Sequence, residues 1–200
     1  MSLPARDNEL VQIVEASLAE TARRSGKWLV CRPGCTPCCY GAFGINALDA
    51  ERLRAGMLAL RSENPAAAHE LQKRAHGWMD AYGAEFPGDR ATGALGTSEE
   101  DRRRFEAFAN DAPCPALNPA TGLCDVYAWR PMTCRVFGPP VRTEGEVGQK
   151  GLGHCELCFA GATPEQVAAC EIPVPYELEE KLLEEIGKDG ETLVAFALRP

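Results

Sequence analysis

Two hundred residues suffice for one domain with a real hydrophobic core, and an apolar fraction of 45% excludes global disorder. A net charge of −8 argues against nucleic acid as a partner, because phosphates demand a dense basic surface, and equally against an anionic membrane face. Residues 1–24 carry Asp7, Glu9, Glu15 and Glu20 without a continuous apolar stretch, and no run approaches the roughly 18 apolar residues of a membrane span, so the expected location is the cytoplasm.

In chain order, Leu10, Val11, Val14 and Leu18 recur on one helical face, which predicts a helix over 7–25 ended by Ser25-Gly26. Residues 31–46 hold prolines and glycines that break any regular element. Asp49 is the expected cap of a second helix over about 50–62, with Leu53, Met57 and Leu60 inward. Pro65 suits the first turn of a third helix reaching about residue 84, whose inner stripe is Leu71, Ala75, Trp78, Met79 and Tyr82. Residues 87–97 read as a loop, and Thr97-Ser98-Glu99-Glu100 as the start of a fourth helix with Phe105 and Phe108 facing in. The basic run Arg102–Arg104, beside three acids, reads as a solvated helix face.

The turn signature inside 114–124 predicts a small hairpin, and Pro131 a short helix carrying Cys134. Residues 139–153 read as a polar, Gly-rich loop. Thr163-Pro164 starts another helix, Pro175 a last helical region, and the apolar tail 193–198 fits either helix or strand. The expected fold is mainly α: a single helical domain with irregular loops and a small β-hairpin, organised around a cysteine-ligated metal centre. Its parts are an N-terminal helix over 1–30, a cysteine-cluster domain over 31–160 and a helical extension over 161–200.

Ten cysteines fall short of the density of a disulfide scaffold, about 8–10% of residues, and a reducing compartment makes clustered thiols metal ligands or redox groups. Cys31, Cys35, Cys38 and Cys39 lie within nine residues. Thiolates suit zinc and iron–sulfur centres, and gaps of two to four residues let a turning backbone aim two sulfurs at one metal. Adjacent side chains on an extended backbone point to opposite sides, so Cys38 and Cys39 would more naturally serve two centres. Cys114, Cys124, Cys134, Cys155, Cys158 and Cys170 could complete two four-coordinate sites with some left over. Cys170, alone in an expected helix, reads better as a small buried hydrophobe.

The segments Cys35-Thr36-Pro37-Cys38-Cys39, Cys114-Pro115-Ala116-Leu117, Gly122-Leu123-Cys124-Asp125-Val126-Tyr127 and Arg130-Pro131-Met132-Thr133-Cys134-Arg135 resemble the bacterial YkgJ-type cysteine-cluster family, a candidate zinc- or iron-chelating domain. Its pattern runs CxxCxxCC, CPxL, GxCxxYxxRPxxCR and a later cysteine. Here the first gap holds three residues rather than two, a departure that falls on Cys31. The resemblance implies Cys35, Cys38, Cys39, Cys114, Cys124 and Cys134 as ligands, then Cys31, with Cys155 or Cys158 in the late position. Some relatives are linked to lysine methylation of flagellin.

Arg130 and Arg135 could offset thiolate charge or form ordinary ion pairs. Tyr127 and Trp129 are expected to pack against the site. His154 is the best non-cysteine ligand candidate. His69 and His76 stand two turns apart, about 10 Å, too far for one ion. The function expected is binding of zinc or iron, the iron either alone or as an iron–sulfur cluster. An unknown protein partner fits a scaffold role. The alternatives are a purely structural zinc module or an iron–sulfur enzyme. Cys31-x3-Cys35-x2-Cys38 has the spacing of a radical-SAM cluster, and methylation is the other enzymatic idea. The first needs repeated strand–helix units that the downstream sequence does not suggest; the second needs a Gly-rich turn between a strand and a helix, which Gly41-Ala42-Phe43-Gly44 and Gly93-Ala94-Leu95-Gly96 imitate poorly.

Overall fold

The computed structural model describes residues 3–144 and 150–199. In chain order the helices are α1 (Asp7–Ser25), α2 (Ala47–Glu63), α3 (Pro65–Tyr82), α4 (Glu99–Glu106), α5 (Met132–Val136), α6 (Pro164–Ala168), α7 (Tyr176–Ile186) and α8 (Val194–Ala197). The strands are short: β1 (Ile45–Asn46), β2 (Gly88–Asp89), β3 (Ala94–Leu95), β4 (Leu117–Asn118), β5 (Leu123–Cys124), β6 (Val141–Glu144), β7 (Lys150–Gly153) and β8 (Glu191–Thr192). They form four two-stranded antiparallel sheets, β1–β8, β2–β3, β4–β5 and β6–β7. The expected mainly helical architecture is therefore present. No described helix is long and apolar enough to cross a membrane.

The chain forms two compact units, each assembled from separate stretches. One comprises Pro33–Pro131 with Leu183–Pro200, the other Pro4–Arg32 with Met132–Leu182.

In the first unit α2 packs on α3 through Leu53, Met57, Leu71 and Ala75, all buried. A single residue, Asn64, joins the helices, and its side chain accepts from the Ala67 N–H to cap α3. Asn46, not Asp49, caps α2: its Oδ1 accepts from the Asp49 N–H at 2.9 Å, so the helix starts before the expected cap. Asp49 is instead buried, bonding Arg52 at 2.5 Å. Trp78, Phe86, Phe108 and Phe196 form a second apolar cluster. Gly56 lets α2 approach the turn Tyr127–Trp129: a Cβ there would stand 2.5 Å from Trp129 Cγ. The tail resolves as helix, with α8 wholly buried.

In the second unit α1 buries Leu10 and Val14 and contacts α5. The expected loop over 139–153 is in part the hairpin β6–β7, with Val141 opposite Gly153; residues 145–149 lie outside the described residues. α6 has a full capping box between Thr163 and Gln166.

Candidate metal centre

Five of the cysteines belong to the first unit. Pro37–Cys39 form a 3-10 turn, with the Cys39 N–H donating to the Thr36 carbonyl at 2.8 Å. Tyr40 then pairs with Pro113 in an isolated antiparallel bridge. The Cys114 N–H donates to the Cys39 carbonyl at 2.7 Å and the Gly41 N–H to the Ala112 carbonyl at 2.9 Å. These bonds clamp the Cys38-Cys39 loop to the chain entering β4. Cys124, on β5, stands in register with Leu117. The hairpin turns at Gly122, whose φ of +69 suits glycine; a Cβ there would lie 3.8 Å from both Gly34 Cα and Thr36 Cγ2, so the turn abuts the loop of Cys35.

The extended backbone assumed for the adjacent pair is not what the structure has. On the 3-10 turn the two sulfurs interact, and the Cys39 thiol hydrogen-bonds that of Cys38, lowering the latter to about 6 despite partial burial. Cys114 behaves oppositely: burial, reinforced by the nearby Cys124, pushes its thiol up to about 12. Burial also raises Cys124, with Asp125 adding to it and Arg130 and Arg74 working against it. Burial thus keeps both thiols protonated in the metal-free chain, and a bound cation would favour their thiolates.

Arg74 on α3 holds this hairpin. Its Nε donates to the Pro115 carbonyl at 2.9 Å and its Nη2 to Asp125 Oδ2 at 2.5 Å, while Asn118 Nδ2 donates to Asp125 Oδ1 at 3.1 Å. Arg130 is buried, lies over the Tyr127 ring at 3.9 Å and donates to the Tyr127 carbonyl. Its charge reaches Cys124, in keeping with an offsetting role. Tyr127 is exposed, whereas Trp129 packs into the core beside Cys114 and Cys124. A groove of about 660 Å³ opens alongside, lined by Tyr40, Arg74, Trp78, Tyr82 and Cys114 among others.

The other five cysteines belong to the second unit. Cys31 Sγ lies 3.7 Å from Cys158 Sγ. Cys155 and Cys158 interact through their side chains and close a turn, the Cys158 N–H donating to the Cys155 carbonyl at 2.8 Å. Burial raises the Cys155 thiol, and Cys158 adds to that. The Cys155 N–H donates to the Gly138 carbonyl at 3.2 Å. Gly138 has φ +126, and a Cβ on it would come 2.8 Å from Cys31 Sγ. Cys134 sits half-buried on α5. Cys170 is buried with Cys158 and Phe159, but in a turn beyond α6 rather than in a helix. Arg135 is buried and paired with Glu15 of α1 at 2.5 Å.

His154 is exposed, its Nδ1 3.0 Å from the Cys155 carbonyl oxygen. His69 and His76 are both exposed on α3. None of the ten cysteines is joined in a disulfide. Among the described residues, no group of three or more Cys, His, Asp or Glu side chains is arranged to hold a metal ion as it stands. The donor chemistry nonetheless fits one: soft sulfur ligands, gathered in two places, with glycine where a side chain would crowd a sulfur. Gly138 and Arg74 were not recognisable from sequence. Neither residue type marks a metal site, and each acts through a partner far along the chain.

The family model described as "Putative zinc- or iron-chelating domain" matches residues 30–158. The chain belongs to the CxxCxxCC family. The CxxCxxCC match begins one residue before Cys31 and ends on Cys158, so every cysteine except Cys170 falls inside it. No curated protein and no solved structure matches the chain.

Proposed function

We propose that this chain chelates zinc or iron through the cysteines of its CxxCxxCC segment: Cys31, Cys35, Cys38, Cys39, Cys114, Cys124, Cys134, Cys155 and Cys158. The observation that carries this reading is the backbone clamp between Cys39 and Cys114. It supports the idea that two cysteine segments 75 residues apart serve one purpose. Bound metal would be held by thiolates, each thiol releasing its proton as it ligates. Zinc would act structurally and stiffen loops that have little core of their own. Iron, alone or with sulfide, would add electron transfer.

Family membership favours chelation over either enzymatic idea. All four sheets among the described residues are two-stranded, so a partial barrel or a nucleotide-binding parallel sheet is not among them. Absorption spectroscopy with acid-labile sulfide analysis on anaerobically purified protein separates the metals. Visible absorbance with sulfide identifies an iron–sulfur centre. A colourless protein containing zinc identifies the structural reading. A folded protein that takes up neither metal contradicts chelation.

A further inference from the structure

We infer that the chain carries two separate metal centres, and that Cys31, Cys155 and Cys158, with Cys134, build the second around Gly138. This rests on the chelating function proposed above and divides it.

The first argument is the ownership of the sulfurs. The sequence groups Cys31 with Cys35, Cys38 and Cys39. The fold does not: Cys31 belongs to the unit of Pro4–Arg32 and Met132–Leu182, and the other three belong to the unit that holds Cys114 and Cys124. The three-residue gap after Cys31, with Pro33 and Gly34 (φ +84) in it, is where the chain leaves one unit for the other. Each unit retains at least four of the nine cysteines, enough for one tetrahedral thiolate site.

The second argument is geometric. A metal holding two thiolates tetrahedrally at about 2.3 Å sets their sulfurs roughly 3.8 Å apart. Cys31 and Cys158 already stand at 3.7 Å. Cys155 reaches Cys158 through its side chain, and its own N–H is anchored on the Gly138 carbonyl. Gly138 makes room for the Cys31 sulfur, since any Cβ would intrude to 2.8 Å. Cys155-x2-Cys158 has ligand spacing, and the turn between them brings the two side chains to the same side. Cys134, four residues before Gly138, is the fourth thiol of this unit's set. His154 is turned to a backbone carbonyl and Cys170 is packed among apolar side chains. The occupant is a tetrahedral divalent ion, zinc or ferrous iron.

The test uses the full chain, metal-depleted under anaerobic conditions and titrated with Zn2+. Native mass spectrometry counts ions per chain, and iodoacetamide labelling with peptide mapping shows which cysteines each ion protects. Two ions are expected. One protects Cys31, Cys134, Cys155 and Cys158; the other protects Cys38, Cys39, Cys114 and Cys124. The C31S/C155S variant is expected to lose one ion and keep the protection of the first-unit set, which also shows that it folds. A single ion, or one protection step shared by both sets in the unmutated chain, overturns the second centre and leaves chelation standing. No uptake of either Zn2+ or Fe2+ overturns chelation itself, and the second centre with it.

Discussion

Cys31 Sγ lies 3.7 Å from Cys158 Sγ across 127 residues of sequence, although Cys31 is only four positions from Cys35. The pairing ties the first cysteine of the cluster to its last and makes the space around it sensitive. Gly138 supplies that space at φ +126. Gly138→Ala is expected to cost about 1–3 kcal/mol through backbone strain, with a further loss from crowding the sulfur. Urea denaturation of the metal-free protein measures this. A variant as stable as wild type would contradict both the strain at this φ and the crowding of Cys31.

Arg74 is the electrostatic brace of the Cys114–Cys124 hairpin. Arg74→Met leaves Asp125 and the Pro115 carbonyl without their main donor and is expected to destabilise by about 1–3 kcal/mol. It should also speed labelling of Cys114 and Cys124, because the hairpin opens more often. Equilibrium denaturation and timed alkylation read the two effects.

The thiols should differ in reactivity before any metal is bound. Cys38, lowered to about 6 by the Cys39 thiol, is mostly thiolate at neutral pH and loses reactivity as the pH falls through that value. Cys114, pushed up to about 12 by burial, stays protonated and slow. Iodoacetamide labelling of the metal-free chain at pH 7 should mark Cys38 well before Cys114. Cys39→Ala should move the Cys38 profile to higher pH by removing the donor.

The first-unit core should answer to Leu71, which is fully buried between α2 and α3. Leu71→Ala is expected to cost about 2–5 kcal/mol, the transfer and cavity loss of a large aliphatic side chain. Thermal or urea unfolding checks it.

Helices carried their own signals. α1 ends at Ser25 before Gly26 and α3 begins at Pro65, both where local chemistry places them. α2 started early because Asn46 and Asp49 are both capping residues, and only the structure shows which side-chain oxygen accepts. β6–β7 escaped notice because its residues lack apolar alternation; the strands are held by cross-strand pairing, which a polar, Gly-rich sequence does not advertise. The same limit governs the cysteines. Their number and spacing pointed to the cysteine-cluster family to which the chain belongs. Which sulfur meets which depends on the fold: Cys31 is close to Cys35 in sequence, yet its sulfur stands beside that of Cys158. The extended backbone expected for Cys38 and Cys39 gave way for a local reason: a 3-10 turn lets neighbours interact where a strand would part them.

Titration of the metal-depleted chain with Co2+ tests thiolate chelation most directly, because a tetrahedral thiolate site gives intense sulfur-to-cobalt charge-transfer and visible d–d bands. The account requires those bands to grow to a stoichiometric end point and to be displaced by Zn2+. Only the weak spectrum of oxygen-coordinated octahedral cobalt, from a chain that is demonstrably folded, would contradict it.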